Sequence, residues 1–396
     1  MRALFFFPGP IRGGCEEHAL LVLRAAAGAG YDVVPCFPFT DGTRSIVEDV
    51  AALGLAATPW PMGRWHGRAF LWGDAEAQAT AAARILHRST PDVAALLLPE
   101  PDSSVGVLVA CARAQVPTVA VFCLVPPDWP VGARDQAWGE WARARQQRWV
   151  VNSADNRCAL AAAFRIGTPD EITVVRNGTD LPPAWRDPDK STVDGVRAAL
   201  RAKLGIPPSA RIALTVARLA KPKGHRDLLE AIGALPASCA DVHFVWAGAG
   251  EEEAGLRAAV RAAGVADRVH LLGYQSNVPA LLYAADLFVF PSHWEGFSRA
   301  LIEAMSAGLP IVASDASSNP EQLGDGRLGL LFPNRDPARL AERISFALAH
   351  PDRMRTMAGR ARSAGRMMSG QAMCEGTLRV VRELLAGLHP ASAGGG

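Results

Sequence analysis

Several kinds of protein are excluded by what this 396-residue sequence lacks. No run supplies the ~18 uninterrupted apolar residues that a membrane-spanning helix requires; the best candidate, VGVLVACARAQVPTVAVFCLV, is broken by Arg113, Gln115 and Pro117. The opening MRALFFFPGP has one arginine and a short apolar run before a proline, too little for a secretory signal core, and it reads as a first strand. Neither sign of charge dominates: 41 Lys and Arg against 39 Asp and Glu leave a net +2, which makes no case for nucleic acid as a partner. Cysteines at 15, 36, 111, 123, 158, 239 and 374 form no Cys-x-x-Cys pair and no metal-like cluster with histidines, so a reduced, cytoplasmic protein is expected.

Two motifs are absent in a more specific way. VWAGAGEEEAG starts like a dinucleotide fingerprint, but Glu253 stands where its third glycine belongs and three acids in a row would repel a pyrophosphate. A nicotinamide cofactor is therefore not expected. RDPDK contains an Asp-x-Asp, a pattern that can hold a metal on a nucleotide sugar, but no strand precedes it and prolines surround it. No metal site is expected there.

What the chain does have is an apolar content of 49% and an alternation of short β-rich runs with longer helical patterns. The strand-like runs are ALFFF, DVVPCF, VAALLLP, TVAVFC, RWVVNS and ITVVRN, then RIALTVA, DVHFVWAG, RVHLLG, DLFVFP, PIVAS and GLLFP. Helical patterns separate most of them, which predicts α/β architecture with parallel sheets covered on both faces. The Pro- and Asp-rich stretch 178–195 reads as a linker between two Rossmann-like domains. The last helix, QAMCEGTLRVVRELLAG, need not belong to the sheet before it, and 391–396 read as a flexible tail.

Three strand-to-helix passages carry chemistry. HWEGFSRALIEAMSAG places Glu295 and Glu303 eight residues apart with Gly296 and Ser298 between them. On a helix that spacing is roughly 12 Å, too far for two carboxylates to share a reacting atom but suited to a ligand with two separated groups of hydroxyls. A solvated Glu303 on an ordinary amphipathic helix is the alternative. TVARLAKPKGHRDLLEAI puts Arg218, Lys221 and Lys223 after a strand and just before a helix, a place for a phosphate or diphosphate. GPIRGGCEEH pairs Gly13 with Gly14 before the first helix, either a plain tight turn or a point where a ligand approaches the backbone. Tryptophans interleaved with arginines at 58–73 and 137–149 offer an acceptor, lipid or partner surface, or simply helix packing.

In their order and spacing these segments resemble the retaining glycosyltransferases of family 4, which have the GT-B fold: two Rossmann-like domains facing a central cleft. The resemblance rests on VARLAKPKG, VWAGAGEEEAGL, VHLLGY, the run from VPALLYAADLFVFPSHWEGF to PIVAS, and LGLLFP, with GGCEEH and VVRNGTD upstream. It implies an acceptor-binding domain at 1–182, a nucleotide-sugar-binding domain at 183–370 and a helix at 371–390 that crosses back to the first domain. It also implies that Arg218 and Lys223 hold the donor diphosphate, that Glu303 accepts from the ribose hydroxyls, and that Glu295 faces the transferred sugar. Backbone N–H groups of Phe297, Ser298 and Arg299, entered through Gly296, would meet phosphate or sugar, Tyr274 would lie near the base, and Gly13 and Gly14 would approach the diphosphate. The implied donor is a nucleoside-diphosphate sugar, with UDP favoured and neither cofactor nor metal. The acceptor would be a glycan, glycolipid or small-molecule aglycone, met in the cytoplasm or by peripheral contact at the inner face of a membrane. One departure stands out: many relatives carry a histidine after the fourth strand, where this chain reads VFCLVPPDW with Asp128 the nearest polar group. A non-catalytic nucleotide-sugar-binding or partner protein, and a sugar-nucleotide epimerase of the same fold, are the alternatives.

Overall fold

The computed structural model describes residues 1–60 and 74–388. The chain divides into two compact units, Met1–Asn177 with the segment from Gly370 onward, and Gly178–Ser369. The sequence reading had placed the boundaries at 182/183 and 370/371. The 391–396 tail and most of the 58–73 segment lie outside the described residues.

The first unit runs β1 (Arg2–Phe6), α1 (Gly14–Gly28), β2 (Asp32–Phe37), α2 (Arg44–Ala52), β3 (Thr58–Pro59), α3 (Ala75–Ser89), β4 (Val93–Leu98), α4 (Val105–Arg113), β5 (Thr118–Phe122), α5 (Ala133–Arg143), β6 (Gln147–Val151), α6 (Ala154–Ala163) and β7 (Thr173–Val174). The second runs α7 (Lys190–Leu204), β8 (Arg211–Val216), α8 (His225–Gly233), β9 (Val242–Ala247), α9 (Glu253–Ala262), β10 (Val269–Gly273), α10 (Val278–Ala284), β11 (Leu287–Phe290), α11 (Arg299–Ala307), β12 (Ile311–Ser314), α12 (Asn319–Gln322), β13 (Leu330–Phe332), α13 (Pro337–Ala349) and α14 (Pro351–Met367). A final helix, α15 (Gly370–Leu388), rejoins the first unit, where Met373, Leu378, Val381 and Leu384 enter the same apolar core as Leu20 and Leu23 of α1.

Both sheets are parallel, with strand orders β3-β2-β1-β4-β5-β6-β7 and β10-β9-β8-β11-β12-β13. In each, the first strand of the unit lies centrally and the order reverses beside it. Ligands of doubly wound sheets bind outside the carboxyl ends of the strands at this reversal, where loops diverge to opposite faces. In the second unit the reversal falls between β8 and β11, the strands that lead into the Lys223 and Glu295 motifs.

The linker reading of 178–195 needs correction, because α7 already begins at Lys190. Asp189 caps it by accepting from the Thr192 N–H at 2.7 Å, and Asp187 pairs with Arg362 at 2.9 Å and Arg366 at 2.7 Å. Both carboxylates of the Asp-x-Asp thus have structural partners. The passage from the second unit back to the first is short, since α14 runs to Met367 and α15 starts at Gly370.

Candidate functional site

The loop after β8 is built on the loop after β9. Ala217 N–H donates to Ala247 O at 3.1 Å, Leu219 N–H to Ala249 O at 3.0 Å, and Glu252 N–H to Leu219 O at 2.9 Å. This close stacking explains the glycines of the false fingerprint: a Cβ on Gly248 would lie 1.9 Å from Ala217 O. Between these anchors the Arg218 side chain is exposed. Lys221–Lys223 then forms a tight turn that ends at Gly224, whose φ of 68° and 1.9 Å approach of a would-be Cβ to Pro291 O both demand glycine.

That approach brings the loop after β11 against the first. His293 N–H donates to Pro222 O at 2.8 Å. Glu295 Oε1 accepts from Lys223 Nζ at 2.7 Å and from Ser292 Oγ at 2.6 Å, with side chains only 18% and 12% exposed for lysine and glutamate. Among the described residues nothing is bonded to Glu295 Oε2, which remains an acceptor. The ring Nε2 of His293 meets Asp227 Oδ2 at 2.8 Å, and Asn334 Nδ2 donates to the His293 carbonyl at 3.1 Å.

Only Glu303 of the glutamate pair is helical, so the helical spacing first assumed for it does not apply: Glu295 precedes α11, and Ser298 is the cap, accepting from Leu301 N–H at 3.3 Å. The expectation that Ser298 N–H serves a ligand is overturned. Buried Gln322 accepts that N–H at 3.0 Å and donates to Ser298 O at 2.7 Å, completing both backbone groups as a neighbouring strand would. Phe297 is buried, as is Gly296. Arg299 Nη2 donates to Thr179 Oγ1 at 3.2 Å, and that hydroxyl stands 3.5 Å from Glu303 Oε1. Tyr274 is 75% exposed beyond β10. The second unit therefore gathers Arg218, Lys223, Glu295, Glu303 and Arg299 on the loops and helix that follow β8 and β11. The supports Asp227, His293, Gln322 and Thr179 were not foreseen, since their partners lie far away in sequence.

Gly13 and Gly14 belong to the first unit, at the carboxyl end of β1. Gly13 N–H donates to Glu16 Oε2 at 3.0 Å, whereas a Cβ on Gly14 would meet nothing within 4 Å. Cys123 follows β5; hydrogen bonding to it, together with burial, holds the Cys15 thiol well above its usual range. Asp128 is exposed with φ of 57°. Two tryptophans of the interleaved segments are core, Trp60 against Phe6 and Trp149 against Phe122 and Phe164. Trp138 and Trp141 of α5 are covered by arginines: Arg113 and Arg134 over the first, Arg145 over the second. Among the described residues no helix is long and apolar enough to cross a membrane, and no group of three or more His, Cys, Asp and Glu could hold a metal ion.

The Glycosyltransferase Family 4 profile matches residues 12–182, and the profile described as Glycosyl transferases group 1 matches 196–364. The chain belongs to the family 4 glycosyltransferases. It is 34% identical over 252 residues to D-inositol 3-phosphate glycosyltransferase of Segniliparus rotundus, covering 62% of this chain and 54% of that protein, so the chain spans about half the length of that relative. Alpha-maltose-1-phosphate synthase of Mycolicibacterium smegmatis is 29% identical over 298 residues, 68% of this chain and 74% of its own. Among solved structures, HepE of Anabaena in complex with UDP superposes with a TM-score of 0.79 at 19% identity, over 97% of this chain and 100% of that one. That likeness shows the family's GT-B fold.

Proposed function

We propose that this family 4 member transfers a sugar from a nucleoside-diphosphate sugar to a hydroxyl acceptor, with retention of configuration and without a metal. The observation that carries this reading is the Lys223–Glu295 pair beside exposed Arg218, at the sheet reversal where a doubly wound fold receives its ligand. As the glycosidic C–O bond breaks, the sugar becomes oxocarbenium-like and negative charge grows on the departing diphosphate, which Arg218 and Lys223 would stabilise. Glu295 Oε2 is open to a sugar hydroxyl, while Glu303, beside Thr179 and Arg299, would accept from the ribose. The acceptor's proton would pass to the leaving phosphate on the same face. A uridine donor is favoured because HepE, of the same fold, was crystallised with UDP.

The acceptor class stays open among glycan, glycolipid and small-molecule aglycone. A cytoplasmic setting with peripheral membrane contact belongs to the same proposal, with the arginine-covered tryptophans of α5 as its support. A second reading, a protein that binds nucleotide sugars without transfer, is favoured by the segment VFCLVPPDW, whose nearest polar group is Asp128 where the resemblance implies a histidine. The deciding experiment incubates the protein with UDP-, GDP- and ADP-sugars and candidate acceptors, with and without EDTA, and follows nucleoside diphosphate release and product anomer. Transfer with retention in EDTA supports the first reading; donor binding without release supports the second; interconversion of donors without acceptor indicates an epimerase.

A further inference from the structure

We infer that His293 and Asp227 form a positioning pair that sets the Lys223 loop against the Glu295 loop, and so favours a nucleoside diphosphate over a monophosphate. The inference rests on the reading of Lys223 as a diphosphate contact. His293 is held at three points on three separate stretches: its N–H by Pro222 O at 2.8 Å, its carbonyl by Asn334 Nδ2 at 3.1 Å, and its ring by Asp227 Oδ2 at 2.8 Å. It stands two residues before Glu295, and Asp227 lies in the first turn of α8, four residues after Lys223.

The other ties between the two loops converge on one short stretch. His293 N–H and Ser292 Oγ both donate to Pro222 O, and the adjacent Lys223 Nζ reaches Glu295. Bonds and the Gly224–Pro291 packing that share so small a base resist rotation of one loop against the other less than a bond anchored away from it. The ring–carboxylate bond is anchored away from that base, on a helix, and opposes the rotation. Its side chains are 14% and 21% exposed, enough shielding for a charge-assisted bond to hold its geometry. Nε2 donates to Asp227 from the neutral Nε2–H tautomer and from the imidazolium alike. Lys223 Nζ is bonded to Glu295, which on that reading faces the transferred sugar, so the phosphate it serves is the second one, to which the sugar is joined; a shift of the ammonium moves it off that phosphate and leaves nucleoside and first phosphate undisturbed. Asp227 also complements the α8 dipole, a role that concerns fold stability and not one ligand over another.

The test titrates the full chain with UDP and with UMP by calorimetry. Loss of one charge-assisted bond predicts that His293→Leu and Asp227→Ala each weaken UDP by about tenfold and leave UMP within about twofold. His293→Gln, whose amide N–H reaches the place of Nε2, should hold UDP within about threefold of wild type. Unchanged UDP affinity in both loss variants, equal weakening of UDP and UMP, or a glutamine variant as weak as the leucine variant would overturn the inference. If His293→Leu fails to fold, Asp227→Ala at its more exposed position decides. A wild type that binds none of UDP, GDP and ADP removes the donor reading and this inference together, whereas tight binding of a diphosphate with insensitive variants removes this inference alone.

Discussion

Arg218 and Lys223 carry the same charge but different structural obligations, so their substitutions should separate. Arg218 is exposed and pairs with no carboxylate among the described residues; Arg218→Ala should lower kcat by roughly 10²-fold, the scale of losing one preorganised donor, with Tm unchanged. Lys223→Ala should lose as much activity and also about 1–3 kcal/mol of stability, because it strips Glu295 of a part-buried charged partner. Steady-state kinetics with thermal melts checks both; wild-type turnover in either variant removes that residue from the phosphate site. His225 makes a pH prediction. Burial first and the neighbouring Lys223 charge second lower its pKa from 6.5 to about 4, so the ring is neutral in the fold and becomes protonated on unfolding below pH 6.5. The unfolded state then binds more protons, and stability falls as pH drops from 6.5 to about 4, by up to roughly 3 kcal/mol, with no further loss from this group below that. His225→Phe, packing against Trp246, should flatten that part of the urea-midpoint profile; an unchanged slope would show that the ring is not the source. The charged residues were legible in sequence because each sits in a local strand–loop–helix pattern. Gln322 and Thr179 were not, because their partners stand 24 and 124 residues away.

At the scale of elements, every one of the twelve apolar runs became a strand, since a parallel strand in a sheet covered by helices announces itself as a short continuous apolar stretch. The two-residue β3 was missed, because Thr58–Pro59 is too short to show any period. The misplaced start of α7 has a different cause: Asp and Pro punctuate linkers and also cap helices, and only the Asp189 bond to Thr192 N–H tells which use is made. Close contact between the β8 and β11 loops was equally invisible, yet it dictates Gly224. Gly224→Ala must both hold a left-handed φ of 68° and push Pro291 O away from a 1.9 Å approach. The strained backbone alone costs about 1–2 kcal/mol, and the displaced β11 loop should carry Glu295 away from Lys223, so activity should fall with stability. Gly233→Ala is the control: it meets nothing within 4 Å at an ordinary φ, and should be neutral or stabilising by about 0.4–1 kcal/mol. Equal behaviour of the two variants in denaturant unfolding would contradict the packing account.

For the whole molecule, the apolar cores respect the division of the chain. Two cores, around Phe244 and Trp246 and around Phe288 and Phe290, draw all their members from within 178–369; the other two draw theirs from residues before Asn177 and from α15. The second unit is therefore continuous in sequence and self-sufficient in core, and it also contains Arg218, Lys223, Glu295, Arg299 and Glu303 with the supports Thr179, Asp227, His293 and Gln322. The first unit is assembled from two separated stretches, so residues 1–177 alone would expose the α1 face that Met373, Leu378 and Leu384 cover. A protein of residues 178–369 should thus fold cooperatively and bind UDP within about tenfold of the full chain, but release no sugar to acceptor. Residues 1–177 should be poorly soluble until α15 is restored, for example by joining 370–388 through a flexible linker. Calorimetric titration and chemical unfolding of the two pieces decide the matter. A cooperatively folded 178–369 that fails to bind UDP while the full chain binds it would mean that the donor site needs residues of the first unit as well, and would redirect attention to Gly13 and Gly14.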